Sequence, residues 1–230
     1  MGQFISNMFY KQRADFQQTL PERDERFSLP DDITEQRNIP YSSDSIAAHH
    51  FDVYRPSDRD GDCLPVIINI HGGGLIMGCK EFNRYFCARL CKLGYVVFNV
   101  EYRLVPDCLF FDQCTDIFTA FDYIREHLAD FCGQTDHIYA IGDSGGACLL
   151  TYCVAMQNNP AIASAAGITP SPLSIRALGL ISGMFYTTKF DQIGLFYQNI
   201  SMVLLIRRVP LLLILIRNIR NLSRHFLLAS

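Results

Sequence analysis

Two glycine-rich segments of the sequence contain residues whose types and spacing could do chemistry. The first, Gly142-Asp-Ser-Gly-Gly146, places Ser144 between glycines, a pattern typical of a serine held at a sharp strand-to-helix turn. Such a turn strains the serine backbone and exposes its Oγ, and glycines are needed because a Cβ would collide with the neighbouring element. Ser144 is therefore a candidate nucleophile. Taken alone, the segment fits equally well a glycine-rich turn of another α/β protein, including one that holds phosphate.

The second segment, His71-Gly72-Gly73-Gly74, directly follows an apolar run. Consecutive glycines there leave backbone N–H groups free to point into a cleft, as an oxyanion hole for acyl transfer requires. A phosphate-binding loop is the rival interpretation, but the run lacks both the Gly-Lys-Ser/Thr ending and the G-x-G-x-x-G spacing. The two segments together favour the chemistry of a serine hydrolase.

The elements that must position these residues alternate between short apolar strands and amphipathic helices. Strands are predicted at 47–54, 65–70, 95–100, 137–141 and 176–182, the last four as buried strands, and helices at 80–93, 112–131 and 145–157. Residues 1–45 are polar and predicted to be irregular, and 158–175 to be a loop. This order predicts an α/β fold with a mostly parallel sheet covered by helices on both faces.

Three linked motifs carry a resemblance to a known family, namely His71-Gly-Gly-Gly-Leu-Ile-Met-Gly78, Glu101-Tyr-Arg-Leu-Val-Pro-Asp107 and Gly142-Asp-Ser-Gly-Gly146. From about residue 47 to 186 the chain resembles the hormone-sensitive-lipase-like esterases and lipases of the α/β-hydrolase superfamily. The resemblance implies that Ser144 is the nucleophile and that the amides of Gly72, Gly73 and Gly145 form the oxyanion hole. It also implies a small-molecule carboxylic ester as substrate, and neither a metal nor an organic cofactor. Tyr102, Arg103 and Pro106 match an element that we interpret as structural.

The same resemblance divides the chain into three parts. Residues 1–45 correspond to an N-terminal cap-like segment, and residues 46–186 to a hydrolase core that lacks the last strands. Residues 187–230 correspond to the start of a cap insertion followed by an atypical Leu/Arg-rich tail.

A base for the serine is the missing part of the pattern. Hydrolases of this fold use Ser, then Asp or Glu, then His in chain order, and after Ser144 the sequence offers only Asp191 and His225. Neither matches a position of the family pattern, so we assign neither to a triad. We expect an impaired serine hydrolase, with a non-catalytic small-ligand-binding protein or a truncated fragment as alternatives.

The tail differs in composition from the rest of the chain. Residues 192–230 contain five arginines and no Asp, Glu or Lys among many Leu and Ile. Its apolar run is too short to span a bilayer, but such a segment could make peripheral membrane contact. Translation from a wrong frame or a misjudged gene end is the other interpretation, and we favour it because the acidic residues stop abruptly.

The composition indicates which partners and which cellular compartment to expect. A formal net charge of −3 and the lack of a basic groove argue against nucleic acid. Nine cysteines without C-x-x-C pairing, and an N-terminus unlike a secretory leader, predict reduced thiols in the cytoplasm. Cys87 and Cys91 lie one helical turn apart, but no partner ligands support a metal site. The sequence leaves the oligomeric state open. The remaining candidates are expected to be structural: His49, His50, His127, His137, Asp116 and Asp143.

Overall fold

A computed structural model describes residues 3–185 of the 230-residue chain. Asp191, His225 and the Leu/Arg-rich tail therefore lie outside the described residues. The strands are β1 (Ile33–Pro40), β2 (His50–Pro56), β3 (Leu64–Ile70), β4 (Val96–Val100), β5 (Gly133–Asp143) and β6 (Ala177–Ile181). The helices are α1 (Gln3–Gln17), α2 (Leu20–Arg26), α3 (Arg84–Cys91), α4 (Phe110–His127), α5 (Gly145–Asn158) and α6 (Pro160–Ala166).

All six strands form one sheet in the order β1-β2-β4-β3-β5-β6. Strands β4, β3, β5 and β6 pair in parallel, while β2 pairs antiparallel with both β1 and β4. Only β2 therefore runs against the common direction. The predicted mostly parallel α/β sheet is confirmed.

Alternate residues of the central strands face two different layers of helices. Val66 and Ile68 of β3 belong to the larger core, which includes residues of α4 and α5. Ile67, between them, belongs to a smaller cluster with Cys87 and Cys91 of α3. Because successive strand side chains point to opposite faces, helices cover both faces of the sheet, as predicted. Within residues 3–185, no helix combines the length and apolar character needed to cross a bilayer.

The last described strand differs from its prediction in burial. Ala177–Ile181 pairs with β5, but Leu180 and Ile181 remain 38% and 44% exposed. An apolar run indicates a strand, but its burial depends on what packs against it, and among residues 3–185 no strand pairs with the outer edge of β6. The prediction of a buried strand at 176–182 is wrong for this reason.

Two other segments are more regular than predicted. Residues 1–45, predicted to be irregular, contain α1, α2 and β1, and β1 belongs to the same sheet as the core. Residues 158–175, predicted to be a loop, contain α6. The side chain of Asn159 caps α6 by accepting from the Ala161 N–H at 3.0 Å, and Pro160 occupies the first turn.

A buried ion pair ties β2 to the segment that leads into α3. Lys80 and Asp52 are both fully buried, and Lys80 Nζ donates to the Asp52 carboxylate at 2.8 Å and to Glu81 Oε1 at 2.9 Å. The Lys80 carbonyl accepts from Asn99 Nδ2 at 2.7 Å. A buried charge is tolerated only when it is paired and hydrogen-bonded, so these contacts fix the chain on the α3 side of the sheet.

We predict that Lys80→Met lowers the free energy of unfolding by about 3 kcal/mol, because it leaves Asp52 buried without its ammonium partner. Denaturant melts of the purified variant measure this loss. Lys11→Met is the matched control, because Lys11 is 79% exposed and its pair with Asp15 is 3.6 Å long. Equal losses in the two variants would contradict the role given to the buried pair.

Candidate active site

Ser144 occupies the turn between β5 and α5. Its backbone has φ 47° and ψ −110°, a conformation that non-glycine residues rarely adopt. Its N–H donates to the Ile181 carbonyl at 2.8 Å, which ties the turn to the end of β6. The predicted strand, strained serine and helix are therefore present in this order.

The glycines around Ser144 permit a close approach of α5 to the sheet. A Cβ on Gly146 would lie 2.1 Å from the Ile70 carbonyl oxygen of β3. A Cβ on Gly142 would lie 2.7 Å from the carbonyl carbon of Gly146. Neither distance is sterically allowed, so glycine is needed at both positions to place Ser144 at the carboxyl edge of the sheet.

The loop after β3 brings backbone amides to the start of α5. Gly73 has φ 116°, and its carbonyl accepts from the Met77 N–H at 3.0 Å, which closes a tight turn. The Cβ position of Gly145 lies 3.2 Å from the Gly74 nitrogen and 3.1 Å from the Leu75 nitrogen. Within residues 3–185, the N–H groups of Gly73, Gly74 and Gly145 have no hydrogen-bond acceptor.

The Gly72 amide is engaged in a different contact. It donates to Asp143 Oδ1 at 3.0 Å, and the same oxygen accepts from Asn83 Nδ2 at 2.9 Å. The oxyanion role of Gly72 stays a prediction that this bond does not support, because its N–H is already engaged by Asp143. Sequence alone does not show which of three adjacent amides is already bonded, so it did not single out the Gly74 amide.

His71 contacts the glycine loop from the interior of the protein. It is fully buried and stacks on Tyr102 with ring centroids 4.3 Å apart. Its Nδ1 lies 2.8 Å from the Gly72 carbonyl oxygen, and its Nε2 lies 2.8 Å from Glu101 Oε1. A carbonyl and a carboxylate both accept, and a protonated ring that donates from both nitrogens suits these two neighbours. Burial lowers the pKa of His71, but the Glu101 carboxylate, together with the Gly72 carbonyl and Asp143, outweighs burial, and the net pKa is raised.

The segment after β4 is structural, as interpreted from the sequence. The Tyr102 hydroxyl donates to the His71 carbonyl at 2.7 Å. Arg103 binds the Asp116 carboxylate through Nε at 2.9 Å and Nη2 at 2.6 Å, and Pro106 follows a cis peptide bond. Gln113 of α4, which the sequence did not single out, donates to the Leu75 and Arg103 carbonyls at 2.9 Å each. These contacts hold the two loops at the carboxyl edge together.

No base reaches Ser144 within residues 3–185. The five described histidines are all engaged elsewhere: His49 with Asp44, His50 with the Ala47 carbonyl, His71 with Glu101, His127 with Asp130 and His137 with Asp136. Asp143, the carboxylate next to Ser144, accepts from Gly72 and Asn83. The part of the chain described thus supplies an elbow and amides, while the proton acceptor is missing from it.

The described residues offer few ligands for a metal ion. Among residues 3–185, no group of three or more His, Cys, Asp or Glu side chains could hold a metal ion. Cys87 and Cys91 are buried, and burial raises the pKa of the Cys91 thiol to about 12.

A cavity of about 180 Å³ lies on the α3 side of the elbow, lined by Asn69, Asn83, Phe86, Gly142, Asp143 and Ile181.

The chain is similar in sequence to a protein family and to curated proteins. The family model described as BD-FAE matches residues 51–174. Esterase LipQ of Mycobacterium tuberculosis is 27% identical over 138 residues, which are 60% of this chain and 32% of LipQ. Carboxylic ester hydrolase LipN of the same organism is 32% identical over 117 residues, 50% of this chain and 30% of LipN. The chain thus spans about a third of the length of these curated relatives.

A solved structure has the same fold. Esterase B from Lactobacillus rhamnosis (HN001) superposes with a TM-score of 0.79 at 23% identity, covering 91% of this chain and 69% of that chain. At this level of identity the likeness establishes the α/β-hydrolase fold alone.

We predict that Gly146→Ala lowers the free energy of unfolding by at least about 2 kcal/mol, because the added methyl would overlap the Ile70 carbonyl oxygen. Gly145→Ala is the matched control on the same helical turn, since its Cβ would lie no closer than 3.1 Å to a neighbouring atom. We expect it to change stability by less than about 1 kcal/mol. Thermal or urea melts that gave similar losses for both variants would contradict this explanation.

The raised pKa of His71 should make the stability of the protein depend on pH. A histidine with a raised pKa in the folded state contributes stability that is fully present below its unfolded pKa and is lost as pH rises through the folded pKa. The unfolding free energy should therefore fall above pH about 6.5, by at most about 1.4 kcal/mol per pH unit. His71→Gln should remove this part of the pH dependence. Urea melts over a pH series test it, and an unchanged slope in the variant would refute the assignment to His71.

Proposed function

The chain belongs to the BD-FAE family and has the α/β-hydrolase fold, and on that premise we propose that it is a carboxylic ester hydrolase with Ser144 as nucleophile. The observation that carries this proposal is the strained backbone of Ser144 beside amides that have no acceptor among residues 3–185. The names of LipQ, an esterase, and LipN, a carboxylic ester hydrolase, support the same class of reaction.

In the proposed reaction, Ser144 Oγ attacks the carbonyl carbon of a small-molecule ester while a water molecule takes the hydroxyl proton and later returns it to the departing alkoxide. The carbonyl oxygen becomes an oxyanion, which the N–H groups of Gly73, Gly74 and Gly145 stabilise. The N-terminal end of α5 adds the favourable field of its dipole. Collapse of the tetrahedral intermediate expels the alcohol and leaves an acyl group on Ser144. Water then releases the acid and restores the hydroxyl.

We further propose that this chain is an impaired hydrolase. A neutral serine hydroxyl is a poor nucleophile without a base, and the described histidines all have other partners. Loss of a triad histidine costs on the order of 10⁶ in the rate constant, whereas an oxyanion hole and binding alone retain about 10³–10⁴ over water. Slow acylation is therefore expected.

A non-catalytic ligand-binding protein is the second candidate, favoured by the same lack of a base near Ser144 in the part of the chain that the structure describes. The free amides that would stabilise an oxyanion could equally bind the carbonyl of a small ester or acid. The nine unpaired cysteines support a reducing, cytoplasmic setting for either function.

The test is covalent labelling with a fluorophosphonate, read by intact mass and peptide mapping. We expect slow, stoichiometric labelling of the wild type at Ser144 and none in Ser144→Ala. Ser164→Ala is the control, because Ser164 is exposed on α6. Hydrolysis of p-nitrophenyl acetate should be weak and should disappear with Ser144.

Two outcomes would count against the proposal. A folded wild type that stays unlabelled, yet is stabilised in melts by a small ester or carboxylic acid, would favour the binding function. Turnover near the typical enzymatic value of about 10 s⁻¹ would overturn the proposed impairment.

A further inference from the structure

We propose that Arg13, on the N-terminal helix α1, positions the loop that presents the oxyanion amides, so that docking of α1 controls the competence of the site. This inference rests on the proposed function, because it gives the loop its catalytic purpose. The geometry is nevertheless independent of whether the chain turns over an ester.

Arg13 spans two loops at the carboxyl edge of the sheet. Its Nε donates to the Ile76 carbonyl at 3.2 Å, and its Nη2 donates to the Val105 carbonyl at 3.0 Å. Its Nη1 donates to Asp107 Oδ2 at 2.6 Å. The side chain is only 19% exposed. One guanidinium therefore joins the loop after β3 to the loop after β4.

The loop that Arg13 holds is the one that carries the free amides. Ile76 lies in the turn closed by Met77 N–H and the Gly73 carbonyl. The Leu75 carbonyl accepts from the Val105 N–H at 3.0 Å and from Gln113 Nε2 at 2.9 Å. Gln113 thus fixes the turn from α4 and Arg13 fixes it from α1. Both sides are needed to aim its amides at the start of α5.

Helix α1 is anchored to the core close to Arg13. Phe9 is fully buried in the main core, and Ile5 and Met8 pack against it. The hydroxyl of Tyr10 donates to Asp107 Oδ1 at 2.6 Å. Because Phe9 and Arg13 are one helical turn apart, they lie on the same face. Docking of α1 through Phe9 therefore delivers Arg13 to the loop.

Arg13 could instead serve only to dock α1 through its ion pair with Asp107. Asp107 is 44% exposed, and exposed ion pairs stabilise weakly. A docking pair also does not require the two bonds to main-chain carbonyls. Three acceptors in different directions suit the fixed fork of a guanidinium, and a lysine ammonium cannot reproduce it. This difference separates the two roles experimentally.

The first measurement is hydrogen exchange at the Met77 and Val105 amides, whose bonds close the turn. Arg13→Lys keeps the charge near Asp107 but loses the fork, whereas Asp107→Asn keeps the fork and loses the charge. We expect exchange to be about tenfold faster in Arg13→Lys and Arg13→Ala. Exchange in Asp107→Asn should stay within about twofold of the wild type. Arg26→Ala, at an exposed pair with Glu22, is the control.

The second measurement is ester hydrolysis by the same variants. We expect kcat to fall about 10- to 100-fold in both Arg13 variants, with KM within about twofold, because misplaced amides weaken stabilisation of the transition state. If Arg13→Ala fails to fold, Arg13→Lys decides. If Arg13→Lys kept the exchange rates and kcat of the wild type while Asp107→Asn lost them, the inference would be overturned. Arg13 would then serve only to dock α1 through its ion pair with Asp107. Unchanged exchange in both Arg13 variants would also overturn it.

A different measurement would show that the proposed function is wrong. A wild type that no fluorophosphonate labels would remove Ser144 as nucleophile. The exchange rates of Met77 and Val105 would still decide whether Arg13 holds the loop.

Discussion

The close contact between the start of α5 and the end of β3 is the constraint on which the rest of the site depends. A side chain at Gly146 would overlap the Ile70 carbonyl oxygen, so the helix can begin this near the sheet only with glycine there. The chain must then reverse within one residue, which accounts for the positive φ of Ser144. A buried, tightly packed helix start thus pushes one hydroxyl to the carboxyl edge of the sheet. The cost of the strained residue is offset by the ten buried residues of α5.

The loop after β3 is held beside this turn by polar side chains at the ends of three strands. His71 follows β3, Glu101 follows β4 and Asp143 ends β5, and each of the three hydrogen-bonds to the segment 72–80. Ligand sites in open α/β sheets form where the carboxyl ends of parallel strands meet. Here the side chains at those ends hydrogen-bond to the loop that carries the amides, and His71 is fully buried. The burial and the two contacts of His71 explain why this histidine of the glycine-rich segment cannot serve as a base for Ser144.

The sequence was most informative where local patterns and packing agree. Strands 65–70 and 95–100, the helix after Ser144 and the elbow itself were predictable, because continuous apolar runs and flanking glycines admit few other structures. Strand β1 was missed because Thr34-Glu-Gln-Arg-Asn38 lacks the apolar alternation of a half-buried strand; of its eight residues, none is buried. Helix α6 was missed although Asn159 and Pro160 are start signals. The engagement of Gly72, the support from Gln113 and the exposure of Ile181 depend on contacts between distant segments, which a single sequence does not reveal.

A crystal structure of the protein after reaction with a phosphonate ester would test the proposed roles of Ser144 and the neighbouring amides together. We expect phosphorus bonded to Ser144 Oγ, with a phosphoryl oxygen within about 3.1 Å of the Gly74 and Gly145 nitrogens, the geometry of an occupied oxyanion hole. The Gly72 nitrogen should remain bonded to Asp143. A phosphoryl oxygen turned towards solvent, or phosphorus on another residue, would contradict the proposed site.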